Sequence, residues 1–206
     1  MDLKVLKQYP EFQQFRAKVD VVSDIESQAV LEHTQTPEEL IEDGAKSIRA
    51  DLADEILRRI KGCTPVFFER LVVKLLVEMG YGGTRQNAGR AIGRSGVEGI
   101  DGVIHEDRLG LDVIYLQAKR WEGIVGRPEI QKFVGALQGQ RAKKGVFITT
   151  SDFTKEAVDY VRNIENKVVL MNGALLANLM IDHNVGVSIA ETYKIKKIDS
   201  DYFLEE

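Results

Sequence analysis

The fold is decided by the stretch from residue 99 to residue 119, which reads GIDGVIHEDRLGLDVIYLQAK. Two apolar runs, 99–104 and 111–119, flank a polar turn near 106–108. Short runs rich in Val, Ile, Leu and Tyr that are bounded by glycine and polar residues are typical of β-strands. The stretch therefore predicts a β-hairpin.

A turn centred near Leu109 fixes which residues of the two strands lie opposite each other. The residue numbers of each pair then add up to 218, which places Asp101 opposite Gln117. Side chains alternate between the two faces of a strand, so Gln117 and Lys119 project to the same side. The pattern predicts that a carboxylate, an amide oxygen and an ammonium group converge at one end of the hairpin.

These three groups suit the hydrolysis of a phosphodiester bond. Mg²⁺ is commonly held by one or two carboxylates together with phosphate and water oxygens, which makes Asp101 and Gln117 candidate ligands. Lys119 can orient the attacking water or stabilise the transition state. The tripeptide from Gln117 to Lys119 is not specific by itself, because an acidic residue or glutamine two residues before a lysine occurs three times in the chain. An ordinary solvated strand end is the alternative.

Capped helices and short apolar strands surround the hairpin. Thr36-Pro37-Glu38-Glu39 has the threonine, first-turn proline and glutamate of a capping box, and Thr64-Pro65 begins a second, more apolar helix. Strands that alternate with helices and are apolar on both faces indicate an α/β fold, with a mixed sheet covered on both sides. The predicted helices are 36–61, 64–79, 128–142, 154–164 and 174–183, and the predicted strands are 99–104, 111–119, 145–150, 168–171 and one between 185 and 198.

Composition excludes several classes of protein. The 206 residues contain no apolar run near the roughly 18 that a spanning helix needs, so no membrane protein is expected. The single cysteine, Cys63, excludes an internal disulfide or a cysteine-rich zinc module and favours a cytoplasmic location. The glycine-rich segment 80–102 lacks the spacing of a nucleotide-binding loop, so no nucleotide cofactor is expected.

The net charge of −4 is unevenly distributed along the chain. Residues 82–146 carry 11 basic and 7 acidic side chains, a net of +4, and lie between more acidic flanks. DNA affinity depends on local positive charge rather than on the total. Arg85, Arg90 and Arg94, which are interleaved with glycines, are therefore candidate DNA contacts, and a chance grouping of solvated charges is the alternative.

Longer strings of this chain resemble the catalytic core of the Mrr-type restriction endonucleases. The hairpin stretch and the following Arg120-Trp121 are the first of them, and the likeness covers about residues 36–204. The other strings are Phe67-Phe68-Glu69-Arg70-Leu71-Val72, Met79-Gly80-Tyr81, Val125-Gly126-Arg127-Pro128-Glu129-Ile130-Gln131-Lys132-Phe133, Gly135-Ala136-Leu137 and Lys144-Gly145-Val146-Phe147-Ile148-Thr149-Thr150-Ser151.

The resemblance implies a PD-(D/E)xK nuclease, with a restriction-endonuclease-like α-β-β-β-α-β core and DNA cleavage that depends on Mg²⁺, for which Mn²⁺ can substitute. It implies that Asp101 is the metal aspartate, Gln117 the second metal-side residue and Lys119 the catalytic lysine. Gln117 stands where the broader superfamily has an acidic residue, which predicts weaker metal binding. Glu69 is a candidate outer ligand, and a solvated helix carboxylate is the alternative.

The resemblance also places Arg127 and Gln131 near the scissile phosphate, in the first turns of a helix whose N-terminus favours anions. The alternative for Arg127 is an exposed residue at the helix cap. Trp121 and Tyr115 are expected to be buried in the core, and an approach to a base or sugar of the DNA is the alternative.

The predicted domain division has three parts. Residues 1–35 are a linker or the remnant of a missing N-terminal DNA-reading domain, 36–62 an amphipathic helical extension and 63–206 the nuclease catalytic domain. This arrangement is either a natural short form or a chain cut at a domain boundary. Sequence or methyl specificity is expected to be mostly absent from this polypeptide.

The predicted function is that of an Mg²⁺-dependent deoxyribonuclease, the catalytic part of a type IV restriction enzyme that acts on methylated foreign DNA. Because a double-strand break needs two active sites or two visits, a homodimer or higher oligomer on double-stranded DNA is expected. The alternative is a non-catalytic DNA-binding or interaction module on the same fold.

Overall fold

A computed structural model describes residues 35–82, 99–107, 109 and 111–203. The predictions for residues 1–34 and for Arg85, Arg90 and Arg94 lie outside the described residues. The chain divides into two compact units, Met1–Ala50 and Asp51–Glu206, and the division falls within the first helix. The described residues of the first unit are helical from Pro37 onward, and the second unit holds the sheet and all candidate site residues that the structure describes.

Five α-helices, four β-strands and one short 3₁₀-helix are described, nearly in the predicted places. None of the helices in this part of the chain is both long and apolar enough to cross a lipid bilayer. In chain order the elements are α1 (Pro37–Gly62), α2 (Pro65–Glu78), β1 (Gly102–His105), β2 (Val113–Lys119), α3 (Arg127–Gly139), β3 (Lys144–Thr149), α4 (Lys155–Arg162), β4 (Lys167–Met171), α5 (Gly173–Asp182) and the 3₁₀-helix (Asp201–Phe203).

The predicted helix starts are confirmed by their caps. The Thr36 backbone N–H donates to the Glu39 carboxylate at 2.7 Å, and the Glu39 N–H donates to the Thr36 hydroxyl at 3.3 Å. The Thr64 hydroxyl accepts from the Phe67 N–H at 3.2 Å in the same way. These bonds satisfy backbone donors that have no partner within the helix, so each helix begins where its cap lies.

The sheet has the strand order β1-β2-β3-β4 and is mixed, as expected. The β1–β2 pair is an antiparallel hairpin in which Gly102 pairs with Leu116 and His105 with Val113, so the predicted register is confirmed. The β2–β3 and β3–β4 pairs are parallel. The Asp107 carboxylate accepts the Leu109 N–H at 2.6 Å and thereby closes the turn between β1 and β2.

Helices cover both faces of the sheet. On one face, buried residues of α2 and α5 and the last two turns of α1 pack against Leu116 and Ile148. On the other face, α3 and α4 pack against Phe147, whose ring meets that of Phe133 edge-on with centroids 5.7 Å apart. The core therefore has two layers, one on each face of the sheet. The hairpin forms one edge of the sheet, because β1 is the first strand in the strand order.

Two of the expectations for the strands differ from the structure. The strand predicted between 185 and 198 is wrong, because these residues form no strand. A strand needs a neighbour that accepts and donates its backbone hydrogen bonds, and this segment pairs with no described strand. Of the three strands expected before α3, two are described, and residues 83–98, which precede the hairpin, lie outside the described residues.

Candidate active site

Asp101 lies at the open end of the hairpin, immediately before β1. Its backbone N–H donates to the Leu116 carbonyl at 2.8 Å, and its carboxylate Oδ2 accepts the Ala118 N–H at 2.7 Å. The side chain thus takes the place of the next backbone rung of the ladder. This bond holds the carboxylate at the rim of the sheet, beside the backbone that joins Gln117 to Lys119.

Gln117 is a buried polar residue with an unusual environment. The residue is only 5% exposed, and its side-chain Oε1 has no hydrogen-bond partner among the described residues. A buried acceptor without a partner costs about 1–3 kcal/mol. A hard divalent cation binds neutral amide oxygens as well as carboxylates, so this unpartnered oxygen fits a metal ligand.

Lys119 is the last residue of β2 and is two residues from Gln117, which places both on the same face of the strand. Its Nζ lies 5.6 Å from the centroid of the Trp121 ring, a cation–π contact. Trp121 is 38% exposed, so the expectation that it is buried in the core is wrong. The ring follows the strand end into the loop, where it covers the lysine rather than joining the core.

Glu69 on α2 lies close enough to Asp101 for the two side chains to interact electrostatically. The two residues line the same small cavity, together with Ala118. Burial, and secondly the negative charge of Asp101, raise the pKa of the Glu69 carboxyl above its ordinary value. The structure therefore brings Glu69 and Asp101 together, whereas none of the described contacts joins the side chain of Gln117 or Lys119 to either carboxylate.

The carboxylate count at this site is low. No group of three or more His, Cys, Asp or Glu side chains that could hold a metal is found in the described part of the chain. The residues present, Asp101, Gln117 and Glu69, fit a hard cation with oxygen ligands.

Arg127 and Gln131 occupy the first two turns of α3, and both side chains are exposed. The Arg127 guanidinium carbon lies 5.1 Å from the centroid of the Tyr160 ring on α4. This cation–π contact places the Arg127 guanidinium over the Tyr160 ring. Among the described contacts, none joins Arg127 or Gln131 directly to Asp101, Gln117 or Lys119.

Reasoning from the sequence missed the roles of Thr149, the last residue of β3, and of the two residues that follow it. Thr149 and Thr150 are 0% and 2% exposed, and Thr150 and Ser151 bond to the loop after Lys119. Polar residues directly after an apolar strand were the available signal. Their partners lie about thirty residues earlier in the chain, so local patterns gave no indication of them.

We expect Glu69→Gln to raise the melting temperature of the metal-free protein at neutral pH. Because the folded state raises the pKa of Glu69, ionisation destabilises the fold as pH rises from the ordinary value of 4.5 through the raised one, and glutamine removes this effect. Thermal unfolding near pH 4 and near pH 7.5 measures it, and the gain should shrink at the lower pH. An equal gain at both pH values would show that charge is not the cause. Glu78→Gln, at an exposed position on the same helix, is the control.

Two sequence comparisons with known proteins relate this chain to restriction endonucleases. The Mrr_cat restriction endonuclease family matches residues 60–180. The type IV methyl-directed restriction enzyme EcoKMrr of Escherichia coli (strain K12) is 47% identical over 168 residues, which is 82% of this chain and 54% of that protein. The chain thus spans about half the length of this curated relative.

Two solved structures are also similar. One is the MspJI restriction endonuclease in complex with a 27-mer oligonucleotide, at 23% identity and a TM-score of 0.49, over 68% of this chain and 33% of that one. The other is the DNA modification-dependent restriction endonuclease AspBHI, at 20% identity and a TM-score of 0.47, over 68% of this chain and 36% of that one.

Proposed function

The chain belongs to the Mrr_cat restriction endonuclease family, and we propose that it is a metal-dependent DNA endonuclease, the catalytic part of a restriction enzyme that acts on modified DNA. The single observation that carries the proposal is the position of the Asp101 carboxylate, bonded to the Ala118 N–H at 2.7 Å between Gln117 and Lys119. The curated relative, which is named as methyl-directed, supports the modified substrate.

The site residues divide the work of phosphodiester hydrolysis. Asp101 and Gln117 would hold Mg²⁺, or Mn²⁺ in its place, through carboxylate and amide oxygens, and Glu69 would bind through a water in the outer shell. A bound divalent cation supplies an activated water and neutralises charge on the phosphate. Lys119, held on the Trp121 ring at 5.6 Å, donates hydrogen bonds to the attacking water or to a phosphate oxygen.

Double-stranded DNA is the proposed partner. Arg127 and Gln131 lie exposed at the N-terminal end of α3, where backbone N–H groups and the helix dipole favour a phosphate. Arg85, Arg90 and Arg94 add positive charge to the segment 82–146, whose net charge is +4. The four arginines would neutralise DNA phosphates, and Gln131 would donate a hydrogen bond to a phosphate oxygen.

The wider biology is proposed on the same basis. Residues 63–206 would form the catalytic domain, 36–62 a helical extension, and 1–35 a linker or remnant of a DNA-reading domain, so recognition of the modified base would depend on other residues. Two catalytic domains would act together as a homodimer or higher oligomer, since one site cuts one strand at a time. A cytoplasmic location is proposed because the chain has a single cysteine, as is common in a reducing compartment.

Cleavage of supercoiled plasmid by the purified chain tests the proposed function. With Mg²⁺ or Mn²⁺, methylated plasmid should be converted to nicked and linear forms, and EDTA should stop the conversion. Retardation of DNA in a gel without any cleavage under these conditions would favour the binding-module alternative and contradict the nuclease proposal.

We expect Gln117→Glu to lower the Mg²⁺ concentration needed for half-maximal cleavage by about tenfold, the change that 1.4 kcal/mol represents. A second carboxylate adds a full negative charge where a buried neutral oxygen now lacks a partner among the described residues. Cleavage rates across a Mg²⁺ titration measure the effect. Gln138→Glu, on the exposed face of α3, is the matched control, and an equal response in both variants would place Gln117 outside the metal site.

A further inference from the structure

We propose that Thr150 and Ser151 are positioning residues, which hold the loop from residue 120 to residue 126 and thereby fix the Lys119 ammonium. The inference rests on the proposed function, because Lys119 matters only if the chain cleaves DNA. The loop joins β2 to α3 and thus lies between the candidate lysine and the helix N-terminus that bears Arg127.

The side chains of this loop give it little packing of its own. Trp121 is 38% and Ile124 65% exposed, whereas Val125 is fully buried against the α3–α4 side of the sheet. A loop with one buried side chain needs other contacts to stay in one conformation. The backbone of the loop supplies most of them, and the Arg120 side chain donates one further hydrogen bond, to the Lys61 carbonyl.

A run of carbonyls at alternate loop positions is bonded to the segment 150–154. The Thr150 hydroxyl donates to the Trp121 carbonyl at 2.7 Å, and the Ser151 hydroxyl donates to the Gly123 carbonyl at 2.6 Å. Backbone N–H groups complete the series, as Thr150 N–H donates to Lys119 O at 3.4 Å and Thr154 N–H donates to Val125 O at 3.0 Å. Every second residue from Lys119 to Val125 is thus held by the same segment.

The segment 150–154 is itself held in place by the start of α5. The Gly173 N–H at the start of α5 donates to the Ser151 carbonyl at 2.8 Å, and a Cβ at Gly173 would lie 2.6 Å from the Thr150 carbonyl oxygen. Thr150 is 2% exposed, so its hydroxyl has no access to bulk water in compensation for a lost bond. The close approach at Gly173 leaves Thr150 little room to move.

Trp121 is the loop residue that contacts Lys119. Thr150 donates a hydrogen bond to the carbonyl of Trp121, and the ring of Trp121 lies 5.6 Å from the Lys119 Nζ. Misplacement of a reacting group by about 1 Å can cost a hundredfold in rate. The position of Trp121 therefore sets where the ammonium stands when DNA is bound.

Thr150→Val and Thr150→Ser test the inference, with the Trp121 fluorescence as a direct signal. Trp121 is the only tryptophan in the chain, so acrylamide quenching of its emission reports on the loop without DNA or metal. Thr150→Val, which keeps the shape but loses the hydroxyl, should increase quenching and lower kcat about ten- to hundredfold with little change in KM for DNA. Thr150→Ser keeps the hydroxyl and should restore both signals to near the wild-type values.

A matched control separates positioning from general destabilisation. Thr64→Val also removes a threonine hydroxyl bond, at the N-cap of α2, and should lower the melting temperature without changing Trp121 quenching or kcat. If Thr150→Val does not fold, Ser151→Ala provides the same comparison with one bond fewer. A folded Thr150→Val with wild-type quenching would overturn the inference, even if its kcat falls. If the wild type cleaves no DNA, the proposed function fails, while the quenching result still decides whether Thr150 holds the loop.

Discussion

Lys119→Met should reduce plasmid cleavage about 10²- to 10⁴-fold, the contribution that a positioned proton donor or acceptor makes to a rate. Methionine keeps the length and the apolar contact with the Trp121 ring but removes the positive charge that lies 5.6 Å from it. Binding of DNA should weaken little, because one of several cationic contacts is lost. Single-turnover cleavage at saturating protein, together with the dissociation constant at the same salt concentration, separates the two effects.

The matched control for this prediction is Lys167→Met. Lys167 is the exposed first residue of β4, and because β2, β3 and β4 are parallel, it lies at the end of the sheet opposite to Lys119. The same change of charge is made there without any contact with the candidate site. Equal cleavage by wild type and Lys119→Met would remove Lys119 from the mechanism, and an equal loss in both variants would trace the effect to net charge.

The hairpin could be predicted from the sequence because its determinants are local. The side-chain period of two and the turn near Leu109 fix the pairing of Gly102 with Leu116. The capped helix starts followed from short patterns for the same reason. In each case the residues that decide the structure are close together in the chain.

The errors arise where distant parts of the chain decide the outcome. The segment 185–198 has apolar residues such as Ile189 and Ile195 in a strand-like order, yet they are 78% and 72% exposed, because no described strand lies beside them. The exposure of Trp121 depends on the segment 150–154, which holds its loop from another strand. Composition alone favours burial of an aromatic residue, and the tertiary contact overrides that preference.

The proximity of Glu69 to Asp101, which only the resemblance implied, likewise depends on distant parts of the chain. Glu69 lies 32 residues before Asp101 in the sequence, and α2 brings the two carboxylates close enough that burial and the charge of Asp101 raise the pKa of Glu69. Two neighbouring carboxylates with no cation between them repel each other. A divalent cation at this position would turn that repulsion into binding energy, which connects stability to the proposed activity.

We expect Mg²⁺ to raise the melting temperature of the wild type, and Asp101→Asn should abolish this rise together with the cleavage activity. Asparagine keeps the size of the side chain and an oxygen that can accept the Ala118 N–H, now bonded at 2.7 Å, so the hairpin end should stay folded. It lacks the negative charge that a hard cation requires of its principal ligand. Melting temperature across a Mg²⁺ titration, and cleavage in the same buffers, measure the two consequences.

Asp101→Asn removes the charge of the side chain but keeps an acceptor for the Ala118 N–H, so its effects can be assigned to the charge. Removing the carboxylate should relieve Glu69 of the nearby negative charge, so the metal-free variant should unfold at a temperature equal to or above that of wild type. Asp159→Asn, which breaks an exposed 3.5 Å contact with Arg162 on α4, should leave the Mg²⁺ response intact. If Asp101→Asn retained both the Mg²⁺-dependent rise in melting temperature and cleavage, the cation would have to bind elsewhere, and the proposed division of roles among Asp101, Gln117 and Glu69 would fail. The variant could instead gain stability without metal and lose the Mg²⁺ response. Asp101 would then be the residue whose negative charge both destabilises the metal-free fold and binds the cation.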